Sequence, residues 1–556
     1  MCGILGVFGK RTNLEEGLCV MSHRGDDESG IENLRENLST GTFGHNRLAI
    51  IDLDNGTQPM TIGDLTIVFN GEIYNYKELR EELKKEGYKF LTNSDTEVIL
   101  RAYACWGTNC VKKFIGTWAF AIHDIEYNDK IFLSRDRIGE KPLYYHFENG
   151  VLSFASELPA LLKIIKVKKK ICKEAVGLFF SHHIRHIPYN LTIYEGIYKL
   201  PPAHNLVFDR KNVELERYWS PDFKKNGKPG SYPLVLSLAV NRTCVSDVPI
   251  GLLLSGGVDS TNIAIAIYGK DITTYTIGFD KNDPELARAK KVADELGLKN
   301  KQIIFSKKKY INNGLKIFKK LIKQLGEPID LIQPVFTYMI AKEVRKDGIK
   351  VLIGGNGADE LFYGYNSAQI SKFLGYMPNY KPFLYSKWSK IPKEIDKLCN
   401  SKEFIDRSQW MGLALENEHS ITIVNDLGGM AATVEIRTPF LDKEMIEYAH
   451  SLPTKYKVKA FGENKIIMRD YIRDELGESF VYKDKIGFGQ NINLAELIRH
   501  QWKREIKRGF DYVKKIKGLN FNGIDYIWNQ HMMGKDNSKI IFGLYAFAVW
   551  HKECFK

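Results

Sequence analysis

The stretch PIGLLLSGGVDSTNIAIAIYG (249–269) decides the fold of the C-terminal half of the chain. Its apolar start is typical of a buried parallel strand, and its apolar end continues as a helix. In SGGVDS (255–260), between them, glycines let the backbone approach an anion and the helix start offers unpaired N–H groups. A glycine turn alone is equally compatible with a tight turn. The serines and the aspartate favour a phosphate site, and no Gly-Lys-Ser/Thr follows to make it a Walker sequence.

The segments after this unit repeat its order of strand and helix. Strands are predicted at TTYTIGF (273–279), KQIIF (301–305) and IKVLIGGNG (349–357), with a helix at PELARAKKVADELG (284–297). This alternation predicts a doubly wound α/β sheet, whose ligands bind at the carboxyl ends of the strands. From about residue 366 onward we expect a mainly helical extension.

A second glycine turn, GGNGADE (354–360), also falls at that end of the sheet. Its acidic residues Asp359 and Glu360 could simply complement a helix dipole. Opposite a phosphate loop, however, Asp259 and Asp359 together suit magnesium, which prefers carboxylates and phosphate oxygens. We therefore predict a metal site formed by Asp259 and Asp359.

The N-terminal half has a different pattern of many short strands, rich in β-branched and aromatic residues. Helices are predicted at YKELREELKKEG (76–87) and DTEVILRAYACWG (95–107), the second with Asp95 as its N-cap. This predicts a layered α+β domain. We place it at 1–215, a linker rich in glycine, proline and lysine at 216–235, and the second domain at 236–556.

Composition excludes several classes of protein. The chain has 556 residues, which predicts two or more domains, and its net charge of +13 is spread along its length. We therefore expect solvated basic faces and no nucleic-acid partner. Without an apolar leader or a membrane-length apolar run, we expect a soluble, cytoplasmic protein with no membrane partner. The eight cysteines form no CxxC pair, so neither zinc nor a disulfide framework is indicated.

The N-terminal segment MCGILGVFG (1–9) places a cysteine directly after methionine. An idle, buried cysteine is the ordinary interpretation. If methionine is removed, however, Cys2 carries both a thiol and a free α-amine, whose pKa of about 7.7–8.0 suits a base near neutral pH.

Four further motifs lie in the N-terminal half and, together with both glycine turns and Cys2, form a recognisable set. They are HRGDDESG (23–30), HNRLAIID (45–52), NGEIYN (70–75) and SDTEVIL (94–100). With these motifs the chain resembles the glutamine-dependent asparagine synthetase family along essentially its whole length. SGGVDS alone would also fit GMP synthetase or tRNA-thiolating enzymes. The resemblance implies an N-terminal nucleophile (Ntn-type) layered amidotransferase domain, followed by a Rossmann-like adenine-nucleotide domain with a helical extension.

By this resemblance, the first domain hydrolyses glutamine. Cys2 is the implied nucleophile with its own amine as base, and Asn70 and Gly71 form the oxyanion hole. For Arg47 and Asp95 an ordinary surface pair is the alternative. The residues implied in glutamine binding are Arg47, Leu48, Ala49, Ile50, Ile51, Asn70, Gly71, Glu72 and Asp95.

By the same resemblance, the second domain uses ATP and Mg²⁺ to adenylate a carboxylate, which ammonia then converts to an amide. Lys465 matches a catalytic lysine that meets the departing pyrophosphate, although most lysines are simply solvated. The small-molecule substrates implied are glutamine, aspartate and ATP, and a homodimer is left open. The residues implied in ATP binding are Leu253, Ser255, Gly256, Gly257, Asp259, Ser260, Ile277, Gly354 and Gly355.

The chain departs from the family at Asn356, where asparagine synthetases normally carry glutamate in the adenylate-forming site and β-lactam synthetases carry tyrosine. A neutral amide cannot take a proton from ammonium. The leading hypothesis is synthesis of asparagine from aspartate, and the alternative is amidation of another carboxylate, such as a uronic acid sugar. Two further hypotheses are a relative that modifies tRNA, which would need a concentrated basic face, and a non-catalytic homologue.

Overall fold

The structure is a computed structural model with side chains. It describes residues 1–34, 40–126, 129–181, 186–187, 190–364, 409–410, 413, 421–459, 463–482, 493–517, 519, 521 and 523–556. The strands are β1 Gly3–Phe8, β2 Glu28–Asn33, β3 Gly41–Arg47, β4 Met60–Ile62, β5 Leu65–Ile73, β6 Gly116–Asp124, β7 Lys130–Arg135, β8 Tyr144–Glu148, β9 Val151–Ala155, β10 Ile197–Lys199, β11 His204–Phe208, β12 Val213–Arg217, β13 Ile250–Leu253, β14 Thr273–Gly278, β15 Asn300–Ile304, β16 Val351–Ile353 and β17 Glu435–Arg437.

The helices are numbered through the described residues in the same way. They are α1 Glu15–Val20, α2 Tyr76–Lys85, α3 Asp95–Trp106, α4 Leu158–Ile165, α5 Lys173–Ser181, α6 Tyr232–Thr243, α7 Val258–Ala266, α8 Pro284–Glu295, α9 Lys307–Leu325, α10 Gln333–Arg345, α11 Ala358–Phe362, α12 Ile423–Met430, α13 Lys443–Ser451, α14 Ile466–Leu476, α15 Leu494–Arg499, α16 Lys503–Val513, α17 Ile524–Met532 and α18 Ser538–Trp550.

The first half of the chain is a four-layer sandwich of helices, two sheets and helices. In the described residues one sheet has the order β10-β8-β9-β1-β3-β2 and the other β12-β11-β7-β6-β5-β4. Their facing sides share one apolar cluster that includes Ile4 and Phe154 from the first sheet and Val68 and Leu133 from the second. Helices α1 and α4 contact the first sheet, and α3 contacts the second. This is the layered α+β domain that the sequence predicted, with the layers of the Ntn-type fold that the resemblance implied.

The second half contains a parallel sheet of order β15-β14-β13-β16-β17 in the described residues. Strand β13 lies at its centre, with Leu252 opposite Thr274 of β14 and Ile353 of β16. SGGVDS and GGNGADE follow these adjacent strands and therefore meet at the carboxyl end of the sheet. Strand β17 was not predicted from the sequence, because a three-residue strand gives too little alternation.

Two details differ from the sequence-based predictions. Asp95 was predicted as the N-cap of α3, but Ser94 has that role: its side chain accepts a hydrogen bond from the Thr96 amide, while Asp95 lies in the first turn. Residues 232–235, placed in the linker, form the first turn of α6. The domain boundaries themselves stay predictions.

The two halves also share apolar packing. One cluster extends from Leu5 and Leu158, in the first half, to Leu325, Leu427 and Phe547 in the helices of the second. Burial of this kind is the main favourable contribution to docking one half on the other. None of the helices in the described residues is both long and apolar enough to cross a bilayer.

Candidate active sites

Cys2 lies just before β1, at the point where the two sheets and the second half of the chain come together. Its backbone nitrogen donates to Asn70 Oδ1 at 2.9 Å, and its Sγ lies 3.9 Å from the Leu48 carbonyl oxygen. Burial raises the pKa of the Cys2 thiol, although the adjacent N-terminal ammonium opposes this. A buried thiol of this kind needs a nearby base to become a nucleophile.

The two residues predicted for an oxyanion hole both lie on β5. Asn70 is fully buried, and its Nδ2 has no acceptor among the described residues. A buried donor without a partner costs about 1–3 kcal/mol, so it is kept where a ligand supplies the acceptor. Gly71 has φ +147°, and a Cβ there would lie 2.1 Å from the Thr117 carbonyl oxygen. Only glycine fits this close approach.

The loop after β3 forms the wall beside Cys2. Leu48, Ala49, Ile50 and Ile51 are all buried. The Ala49 amide donates to Asp27 Oδ2 at 2.7 Å, and the Ile50 carbonyl accepts from the Asp247 amide at 2.9 Å. The second contact anchors this wall to the other half of the chain.

Arg47 lies at the end of β3 beneath the same loop. Its guanidinium donates to the carbonyl oxygens of Leu53 at 2.9 Å and Asp52 at 2.6 Å, and it pairs with Glu28 at 3.3 Å. Glu28 is partly exposed, so an incoming carboxylate can replace it as the acid partner of Arg47.

Two buried acids, Glu72 and Asp95, lie near each other at the end of β5 and the start of α3. Burial raises the pKa of Asp95 to about 6. Burial and the neighbouring Asp95 charge raise the pKa of Glu72 well above its ordinary value. Asp95 Oδ2 accepts from the Ile73 amide at 3.0 Å, and Arg437 of β17 lies 3.5 Å from Glu72. Asp95, which is charged above about pH 6, can pair with a substrate ammonium group, and Glu72 can accept a hydrogen bond from it.

Sequence reasoning missed a buried arginine that joins Cys2 to the second half. Arg24 Nε donates to the Cys2 carbonyl oxygen at 3.0 Å, and its terminal nitrogens donate to Asp426 at 2.7 and 2.9 Å and to Glu157 at 3.1 Å. Burial opposes the charge of Arg24, but the two acids outweigh it and raise its pKa. The motif HRGDDESG contained this residue, yet nothing in its pattern indicated a partner more than 400 positions away.

The second site is a cavity of about 460 Å³ at the carboxyl end of the parallel sheet. It brings together residues from SGGVDS, from GGNGADE and from the segment before α14. The predicted residues that line it are Leu253, Ser255, Gly257, Asp259, Ser260, Ile277, Gly354, Gly355, Asn356, Asp359 and Lys465. Its size and polar turn suit a nucleotide.

The SGGVDS turn is held in shape by its own hydroxyl groups. Ser255 Oγ lies 3.1 Å from Ser260 Oγ and accepts from the Gly257 amide at 3.2 Å. Gly256 has φ +72°, and a Cβ there would lie 2.7 Å from the Arg288 backbone. The turn leads directly into the nine-residue helix α7, which starts at Val258. This geometry, with the helix N-terminus directly behind it, suits a bound anion.

Lys465 lies between the two predicted metal ligands. Its Nζ pairs closely with Asp259 and lies 2.5 Å from Asp359. Burial opposes the Lys465 ammonium, but the two carboxylates outweigh it and raise its pKa. The three charged groups therefore converge beside the SGGVDS turn. In the described residues no third His, Cys, Asp or Glu joins Asp259 and Asp359, so phosphate oxygens or water would have to complete a metal site.

Asn356 is held by a second asparagine that the sequence did not single out. Its Nδ2 donates to Asn425 Oδ1 at 2.7 Å, and both residues line the cavity. Asn425 belongs to α12 and directly precedes Asp426, the partner of Arg24. One helix thus contacts both sites.

Comparisons with known proteins cover both halves of the chain. A family model described as a glutamine amidotransferase domain matches residues 1–219, and one described as asparagine synthase matches residues 234–552. Asparagine synthetase 3 (glutamine-hydrolyzing) of Bacillus subtilis is 29% identical, covering 87% of this chain and 86% of its own. A putative asparagine synthetase 2 of Methanocaldococcus jannaschii is 35% identical, over 72% and 83%. Asparagine synthetase 3 of Arabidopsis thaliana is 30% identical, over 98% and 84%.

Proposed function

The chain belongs to the asparagine synthetase family and is an ATP-dependent, glutamine-hydrolysing ligase, and on that premise we propose that it converts aspartate to asparagine. One observation carries this proposal. The chain has a buried cysteine beside an unpaired amide donor, and it has a nucleotide-sized cavity with a glycine-rich turn. Helix α12 contacts both sites, through Asp426 and Asn425.

In the proposed glutaminase reaction, Met1 is first removed so that Cys2 has a free amine. The amine takes the thiol proton, and Sγ attacks the amide carbon of glutamine. Asn70 Nδ2 and the Gly71 amide receive the charge that develops on the amide oxygen, worth about 3–4 kcal/mol per donor in comparable acyl transfers. The proton then moves to the departing nitrogen, which leaves as ammonia, and water hydrolyses the thioester to glutamate. Arg47 receives the glutamine carboxylate, and Asp95 with Glu72 its ammonium group.

In the proposed synthetase reaction, a carboxylate oxygen of the acceptor attacks the α-phosphorus of ATP, and pyrophosphate leaves. The SGGVDS turn cradles the phosphates with backbone N–H groups and hydroxyls, and Lys465 meets the charge on the departing pyrophosphate. Ammonia then attacks the acyl carbon of the adenylate and gives up a proton, and AMP leaves. Asp259 and Asp359 would hold Mg²⁺, which supplies charge neutralisation at the phosphates.

A second acceptor is kept because of one observation, the Asn356–Asn425 pair. Asn356 stands where the family normally has a glutamate, and its partner Asn425 is also a neutral amide. An adenylate-forming site without this charge suits an acceptor with other polar groups, such as the uronic acid of a sugar. With aspartate as acceptor, ammonia would have to arrive already unprotonated, since Asn356 cannot remove a proton from ammonium.

The acceptor is tested by offering ATP and glutamine with aspartate or with a panel of other carboxylic acids, and measuring pyrophosphate and asparagine. We expect aspartate-dependent pyrophosphate release. Asn356→Glu should keep asparagine formation and raise the rate with free ammonium, because it restores a base. If the native protein is inactive with aspartate but active with a uronic acid, the second proposal replaces the first.

A further inference from the structure

A buried carboxylate, Glu435, lies between the two sites and belongs to neither. It begins β17 and is fully buried. Its Oε1 is used within the interface, accepting from Arg437 Nε at 3.0 Å and lying 3.6 Å from Lys141 Nζ. In the described residues its Oε2 has no hydrogen-bond donor apart from the N-terminal ammonium of Met1, at 3.0 Å.

The Met1 ammonium shows that this oxygen can accept a hydrogen bond from a nitrogen group. It is a small nitrogen group with N–H donors, held in the interface on a residue that is 2% exposed. Met1 nitrogen lies one residue, at most about 3.6 Å, from the Cys2 nitrogen. Removal of Met1, which the proposed glutaminase reaction requires, would take this donor away and leave Glu435 Oε2 a buried acceptor beside the nucleophile. Such an acceptor needs a replacement donor.

We propose that Glu435 Oε2 is an ammonia-binding site between the two active centres, occupied by the nitrogen released from glutamine once Met1 has been removed. The inference rests on the proposed function, because that reaction supplies the ammonia. An N–H group of ammonia takes the place of the Met1 ammonium as donor to Oε2. No bond is made or broken at this site.

The surrounding charges keep Glu435 deprotonated. Burial opposes the negative charge of Glu435, but Lys141, the N-terminal ammonium and Arg437 outweigh it and lower the pKa of the carboxyl. Lys141 and Arg437 remain after Met1 is removed and continue to favour the charged acceptor. Lys141 and Arg437 partly offset that charge, so Glu435 favours a further proton on ammonia less than an isolated carboxylate would.

The position also fits a place on the way to the cavity. Arg437, two residues further along β17, accepts through its backbone oxygen from the Gly354 amide at 2.9 Å. Gly354 begins the turn that carries Asn356 and lines the cavity. Two strand residues span about 7 Å, so the backbone of Glu435 lies about 7 Å from Arg437, the residue that contacts Gly354 at the cavity.

The test uses Glu435→Gln in the full-length, N-terminally processed protein. The amide oxygen of glutamine can face Arg437 and Lys141, which leaves its NH₂ group, a donor, where ammonia needs an acceptor. The measurement is amide product formed per glutamate formed, with free ammonia assayed in the medium and aspartate as acceptor. Glu327→Gln is the matched control, because Glu327 is equally buried but contacts Ile193 and His186.

For the native protein and the control we expect about one amide product per glutamate formed. For Glu435→Gln we expect this ratio to fall at least two-fold and free ammonia to accumulate in the medium. Its synthesis from added ammonium and its melting temperature should stay near native. If Glu435→Gln does not fold, Glu435→Asp replaces it, since it keeps the charge but withdraws the acceptor, and ammonia should again leak. An unchanged ratio in the folded variant overturns the inference. Native protein that hydrolyses no glutamine overturns instead the proposed function.

Discussion

At the residue scale, Asp95 should add a pH dependence to glutamine use. Burial raises its pKa to about 6, so below pH 6 the carboxyl is neutral and cannot pair with the glutamine ammonium group. Because kcat/KM reports the free enzyme, kcat/KM for glutamine should fall more steeply below pH 6. A pH profile of glutamate release measures this, and Asp95→Asn should lose the inflection. A native profile with no change of slope near pH 6 would contradict the role given to Asp95.

A second residue-scale prediction concerns the two carboxylates beside Lys465. Asp259→Asn or Asp359→Asn removes a hard anionic ligand, so pyrophosphate release at saturating ATP should fall by tenfold or more. The Mg²⁺ concentration for half-maximal activity should rise in the same variants. Glutamate release should be retained, because Cys2 lies in the other half. Normal pyrophosphate release in both variants would show that these carboxylates hold no metal.

Residues whose chemistry is local could be predicted from the sequence. Cys2, Asn70 and the SGGVDS serines stand in short motifs, and the structure brings each set together. Arg24 and Glu435 were missed because their partners are more than 400 positions away, and Asn425 because its partner Asn356 is 69 positions away. A burial pattern does not report which distant charge faces a side chain.

At the element scale, helix α12 is the element that contacts both sites. Asp426→Asn removes a carboxylate from buried Arg24, which also holds the Cys2 carbonyl oxygen. Breaking a buried pair costs about 3–5 kcal/mol of stability. Arg24 keeps Glu157 as a partner, so we expect only part of this cost, about 1.4–2.7 kcal/mol, to reach the glutaminase transition state, a ten- to hundredfold loss in kcat/KM for glutamine. Synthesis from added ammonium should be largely retained. Both rates, with the melting temperature, are the measurements.

Asp26→Asn provides the matched control for that variant. Asp26 also crosses between the halves, pairing with Arg345 at 3.3 Å, but it is exposed and does not touch Arg24. An exposed pair contributes at most about 1 kcal/mol, so both activities should stay near native. Equal effects of the two variants would mean that α12 serves docking alone.

Element types followed from periodicity, whereas element ends depended on single contacts. The alternating strand and helix pattern gave β13, β14 and α8 at nearly the observed bounds. Asp95 was assigned as a cap because it has a capping side chain, but its carboxylate accepts from the Ile73 amide instead. Tertiary contact decided between Ser94 and Asp95, and sequence alone does not contain it.

At the scale of the whole molecule, the two sites are joined by buried charge and by apolar packing. Glu435, Arg437 and Asp426 of the second half form ion pairs with residues of the first half. One apolar cluster contains residues of both halves. The two-domain order could be predicted from the change of pattern near residue 216. The contacts between the domains could not, because no local pattern specifies which surfaces meet.

The most direct measurement follows the nitrogen itself. The protein is given ATP, aspartate, glutamine labelled with ¹⁵N at the amide, and an excess of unlabelled ammonium, and asparagine is analysed by mass spectrometry. We predict asparagine that is mainly ¹⁵N-labelled, with one AMP per asparagine, and only unlabelled asparagine from Cys2→Ala. Asparagine whose label is diluted to that of the medium, or none at all, would contradict the account.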